Sequence, residues 1–198
     1  MCHYLPGKVN LYMNGKKKTI CLFVLLISGV IISVTFFLYR KNGWFLPSYI
    51  TWNASTEIVS FGAESVQVTL DNKMLSIKKD GELIYQTADD VFVSDVYCVD
   101  IDRDSALEVC MMVWKKGSFG EHKPFWITED TDDYTQHIFL YRWDPKRADR
   151  LDPMWMSSDL GMSIQQMSID EYNRIHLIDK NGLETTWAWG NWGLVSCD

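Results

Sequence analysis

Apolar and polar positions divide this chain into two unlike parts. Residues 19–39, TICLFVLLISGVIISVTFFLY, run for 21 residues without a charge, between Lys16-Lys17-Lys18 and Arg40-Lys41. A helix of that length at 1.5 Å per residue reaches about 30 Å, the thickness of a bilayer's hydrocarbon core. A cleaved signal peptide would carry a shorter apolar region ending in small residues at a cleavage site. This run ends instead in TFFLYRK, with no A-x-A pattern. A core helix of a soluble domain rarely runs so long without a charge. The pattern predicts an uncleaved, single-pass membrane anchor.

From Glu57 onward the pattern changes to short runs rich in β-branched and aromatic residues, separated by turn signals and without sustained 3.6-residue periodicity. MLSIKKDGELIYQ places Asp80-Gly81 between two alternating segments, a strong hairpin signal. FVSDVYCVDI and LEVCMMVW flank an acidic loop. In the first, Val96 and Cys98 alternate with Tyr97, Val99 and Ile101; in the second, Val109, Met111 and Val113 alternate with Cys110, Met112 and Trp114. Strands apolar on both faces belong inside a stack of sheets, as in a propeller-like blade or a sandwich. The expected architecture is all-β, a partial propeller-like or stacked-sheet domain preceded by one transmembrane helix. Its segments are a tail at 1–18, the helix at 19–39, a juxtamembrane linker at 40–56 and a β domain at 57–198. In the linker, Trp44, Phe45 and Tyr49 fit an interfacial aromatic belt.

Charge assigns the two parts to different sides. Residues 1–39 hold four lysines and no acidic group, whereas residues 40–198 hold 15 basic and 26 acidic residues, a net of −11. Lysines before the span outnumber the two basic residues just after it, which predicts a cytoplasmic N-terminus and an extracytoplasmic β domain at the plasma membrane. An acidic outer domain speaks against nucleic acid and anionic lipid as partners and suits a divalent cation. Of five cysteines, Cys2 and Cys21 fall in the tail and span, leaving Cys98, Cys110 and Cys197 where disulfides persist. Asn53-Ala54-Ser55 is a glycosylation acceptor in a eukaryotic host.

The acidic loop is DIDRDSALE, residues 100–108, with carboxylates at Asp100, Asp102, Asp104 and Glu108. Calcium takes about six to eight oxygens, which three Asp side chains, a backbone carbonyl, Glu108 and water would supply. The other reading is a solvated acidic turn with Arg103 as its local counter-charge. Set between two apolar strands, the loop resembles the FG-GAP or VCBS-type repeat of integrin-like β-propellers, whose D-x-D-x-D-G-x-x-D/E loop binds calcium and whose repeats each supply a hairpin of a blade. Three features depart from that pattern. Ser105 stands in place of the glycine, where a positive φ would cost about 1–2 kcal/mol. A second loop, SIDEYNRIHLID, keeps Asp170 but has Tyr172 and Arg174 where carboxylates would follow. The β region, at about 40–50 residues per blade, supplies roughly three blades where about four to eight close a ring. An open propeller, a compact stack of sheets, or one completed by another chain would follow. If Asp100 faces Glu108 across the hairpin, Cys98 faces Cys110 within reach of a disulfide. The alternative is two small buried thiols.

Two further clusters stand out. Residues 117–143 gather Glu121, His122, Glu129, Asp130, Asp132, Asp133 and His137, either an acid/base or second metal site, or a solvated connection pinned by Pro124, Phe125 and Trp126. Trp187, Trp189 and Trp192 form either a ligand platform or core, Trp187 and Trp189 sharing a face at period two. No motif of a metalloprotease, serine hydrolase or phosphate-binding loop is present. The expected function is therefore a membrane-anchored, non-catalytic binding, adhesion or accessory module, calcium-stabilised and directed to a protein or glycan partner at the cell surface. The resemblance extends this to an accessory role in extracellular polymer synthesis. The alternative is a cell-envelope hydrolase using carboxylates of the 121–137 loop.

Overall fold

The computed structural model describes residues 15–41, 46–119 and 125–197. It resolves into two units, Met1–Phe45 and Leu46–Asp198. In the first, α1 spans Gly15–Lys41, and its Thr19–Tyr39 stretch is long and apolar enough to cross a membrane. Ser28 and Ser33 donate their hydroxyls to the carbonyls of Leu25 and Gly29. These two hydroxyls thus find their partners within the helix itself.

The second unit is all-β. Twelve strands form three four-stranded antiparallel meanders: β1 (Ser55–Phe61), β2 (Glu64–Asp71), β3 (Met74–Lys79) and β4 (Glu82–Gln86); β5 (Phe92–Val99), β6 (Glu108–Lys116), β7 (Tyr134–Trp143) and β8 (Leu151–Met156); and β9 (Ile164–Ile169), β10 (Ile175–Asp179), β11 (Glu184–Trp189) and β12 (Leu194–Ser196). Asp80 and Gly81 both take positive φ, so the β3–β4 turn has the backbone hand that matches strand twist.

The double-sided apolar pattern of β5 and β6 marks the middle sheet. Val109, Met111 and Val113 pack with Val66, Val68, Leu70, Leu75 and Ile77 of the first sheet. Cys110 and Met112, pointing the other way, pack with Ile164, Met167, Ile175 and Leu177 of the third. The outer sheets bury only one face. Across the first sheet the outward row is Thr56, Thr69 and Ser76, and across the third it is Ser168, His176 and Thr186. Packing a further sheet on either row would bury these polar groups, at a cost unless each found a partner. The three-sheet stack is therefore bounded by polar faces.

Residues 46–54, within the span read from sequence as a linker, pack onto this unit. Ile50 is buried with Phe92 and Trp114, and Leu46, Tyr49, Trp52 and Tyr134 close around them. The segment touches all three sheets: Lys73 lies over the Trp52 ring, Asn53 N–H donates to Ser94 O, and Thr51 N–H donates to Gln165 O. Tyr49 lies under the Lys180 ammonium, not in a free aromatic belt. Trp44 and Phe45, assigned to the same belt, lie outside the described residues. Phe92 and Tyr134 begin their strands and Trp114 nears the end of its own, so the chain joins the unit at one end of the middle sheet. The β5–β6 loop lies at the other.

The register corrects the expected disulfide. Val99, not Asp100, faces Glu108 at the loop end of the β5–β6 hairpin, so Cys98 faces Val109 and Tyr97 faces Cys110; a bulge at Ser94 shifts the pairing again only beyond them, at Phe92 and Val93. A one-residue shift sends side chains to the opposite face. Cys98 packs toward the first sheet and Cys110 toward the third, and both are free thiols. Burial pushes the Cys98 thiol up to about 12 and raises that of Cys110 as well.

Candidate metal centre

The loop between β5 and β6 is shaped by its own carboxylates. Asp100 accepts the backbone N–H of Asp104 at 2.9 Å on Oδ1 and that of Ser105 at 3.0 Å on Oδ2. Asp104 accepts the N–H of Ala106 at 2.8 Å, and Glu108, only 1% exposed, accepts the N–H of Ile101 at 2.9 Å. Ile101 is itself a core residue against the third sheet and anchors the loop's first turn. Arg103 and Ser105 adopt positive φ, 63° and 75°. Ser105, the sixth residue of the loop, therefore takes a left-handed backbone without being glycine.

These turns bring ligand atoms of Asp100, Asp102 and Glu108 within 4.8 Å of one another. Asp104, the fourth residue expected there, is not part of the group and caps Ala106 instead. Burial is the main force pushing the Glu108 carboxyl up to about 7; Asp102, Asp104 and Asp100 add to it, and the Ile101 N–H opposes it. Asp102 has a 9% exposed side chain, and its Oδ1 is buried without a hydrogen-bond partner. An orphaned buried carboxylate oxygen costs free energy unless a donor or cation meets it. This donor set, all hard oxygen, fits calcium or magnesium better than a softer metal.

The counter-charge is not the one expected. Arg103 turns away and donates to Tyr172 O at 2.8 Å, while Arg142 of β7 donates from Nη2 to Asp102 Oδ2 at 2.9 Å. Sequence reading missed Arg142, which lies 40 residues from its partner; the β6–β7 register, pairing it with Glu108, is the signal that finds it. The β9–β10 turn braces the loop, since Asn173 Nδ2 donates to Asp100 O at 2.6 Å. In that second loop Asp170 accepts the backbone N–H groups of Tyr172 and Arg174, the Arg174 guanidinium and a His176 ring N–H. His176 also meets Glu184 through its other ring nitrogen, and these two carboxylates raise its pKa.

No protein-family model, curated protein or solved structure matches this chain.

The remaining candidates separate. Trp187 and Trp189 pack against the core between the second and third sheets, whereas Trp192 is 84% exposed in the β11–β12 turn, so the three do not form one platform. Glu121 and His122 lie outside the described residues. Asp130 is spent on the backbone N–H groups of Ser118, Phe119 and Thr131, and these lower its pKa. His137 is fully buried against Ser157 O, Gly117 O and the Thr135 hydroxyl; burial lowers its pKa. Glu129, Asp132 and Asp133 are exposed. Among the described residues the Asp100, Asp102 and Glu108 group is the one cluster of three or more that could hold a metal.

Proposed function

We propose that this chain is a membrane-anchored, extracytoplasmic β module of FG-GAP or VCBS type, stabilised by calcium at the β5–β6 loop. Its role is to bind a protein or glycan at the cell surface, as adhesion module or accessory to extracellular polymer synthesis. The observation that carries the calcium reading is the convergence of Asp100, Asp102 and Glu108 around a buried Asp102 oxygen that nothing else satisfies. Calcium would neutralise these carboxylates and tie β5 to β6 at the loop that Asn173 and Arg103 join to the third sheet. The length and apolarity of α1, with lysines before it, support an anchor with its N-terminus in the cytoplasm.

The hydrolase alternative has less to draw on, because Asp130 serves the backbone and His137 lies in the core. Melting the full chain in detergent micelles with calcium or magnesium at millimolar concentration tests the reading. A rise in melting temperature with calcium that Glu108→Gln abolishes is expected. Equal melting with and without calcium would contradict it.

A further inference from the structure

The connection from β6 to β7 leaves the sheet at Lys116 and returns at Tyr134. Its neck is built rigidly. Gly117 N–H donates to Asp133 O, the Asp130 carboxylate accepts the Ser118 and Phe119 amides, and the Lys115 ammonium donates to the carbonyls of Gly117 and Phe119. Beyond that neck, Phe125 is 93% and Trp126 67% exposed, their rings stacked edge to face at 4.8 Å. Two adjacent aromatic rings held in water are unfavourable unless something covers them.

Placement says what covers them. The loop's flanking residues, Trp114 and Tyr134, belong to the same cluster as Leu46, where the chain joins the β unit. Only residues 42–45 separate Leu46 from Lys41 at the end of α1, so those two Cα atoms lie at most about 18 Å apart. The aromatic pair therefore leaves the end of the β unit that is tethered to the helix. Phenylalanine and tryptophan are favoured at the bilayer interface, tryptophan by its amphipathic ring. Exposed Glu129, Asp132 and Asp133 near the pair would be repelled by anionic headgroups, which favours a zwitterionic surface.

We infer that Phe125 and Trp126 form a second membrane contact, dipping into the zwitterionic lipid surface of the bilayer that anchors α1. The inference rests on reading α1 as a membrane span.

The test uses the full chain, with Cys2, Cys21 and Cys197 changed to serine, reconstituted into phosphatidylcholine vesicles that carry nitroxide-labelled lipid. An environment-sensitive fluorophore is placed at Glu129→Cys beside the pair, or at Lys146→Cys in the β7–β8 turn at the other end. Blue-shifted emission and nitroxide quenching are expected at position 129, lost when Phe125→Ser and Trp126→Ser are added, and absent at position 146. No quenching at 129, or quenching that survives the serine substitutions, overturns the inference. Alkaline carbonate extraction of the same vesicles separates the two failures. Protein that stays with the lipid while position 129 is unquenched keeps the anchor and refutes the aromatic contact; protein that is stripped off refutes the anchor and the contact with it.

Discussion

Arg142 Nη2 donates to Asp102 Oδ2 at 2.9 Å, placing a β7 guanidinium on a carboxylate of the β5–β6 loop. The ion pair occupies one oxygen of Asp102 and leaves the other orphaned. Arg142 therefore acts as a built-in competitor for any cation drawn to the cluster. Its side chain is half exposed, so the pair is worth at most about 1 kcal/mol. Arg142→Gln is expected to tighten calcium binding by up to about fivefold. Calorimetric titration of the two proteins checks this, and weaker binding by the variant would show that Arg142 positions Asp102 instead of competing for it.

The two core cysteines face different sheets and their thiols are raised by burial, which keeps the reactive thiolate scarce. Alkylation of the native protein is expected to modify Cys197 and spare Cys98 and Cys110, all three reacting after denaturation. A peptide linking Cys98 to Cys110 in non-reducing mass mapping would refute the register.

Burial raises the Asp95 carboxyl from its ordinary 3.8 to about 6, against the pull of the Asn53 amide and the Met167 N–H. A carboxyl whose pKa is higher in the folded chain contributes stability that is complete below its unfolded value and is lost as pH rises through its folded value. Asp95→Asn keeps an acceptor for Asn53 and removes the ionisation. The melting temperature of the variant minus that of wild type should climb between pH 4 and pH 6 and then level. A difference that stays flat across that window would contradict the assignment.

At the neck of the β6–β7 loop, Gly117 has φ +86°, and a Cβ there would lie 2.5 Å from Asp130 Oδ2. Gly117→Ala is expected to cost about 1–2 kcal/mol from backbone strain alone, plus the displacement of Asp130. Asp130→Ala removes the clash, so the double variant should be less destabilised than the two single losses combined. Urea denaturation of the four proteins measures the coupling, and simple additivity would show that the two residues do not meet.

Much of the fold was legible because it rests on local signals. The alternation of Val109, Met111 and Val113 with Cys110 and Met112 marks a sheet buried on both faces, and Asp80-Gly81 marks a hairpin. What escaped reading depends on residues far apart in the chain. That Val99 and not Asp100 faces Glu108 carries no mark in the sequence, yet it sets Cys98 opposite Val109 instead of Cys110. Leu46, Tyr49, Ile50 and Trp52 lack a periodic pattern and read as linker, although Phe92 and Trp114 supply their packing partners. Asp104 satisfied the spacing of a ligand, but the nearby Ala106 amide claimed it.

Calorimetric titration of the full chain in micelles with calcium, beside Asp102→Ala, tests the central claim most directly. One saturable site per chain that is absent in Asp102→Ala is the result predicted, with affinity in the range of about 10⁻⁴–10⁻³ M common to extracellular modules. No heat of binding up to several times that concentration, or equal binding by the variant, would leave residues 100–108 an acidic turn closed by Arg142.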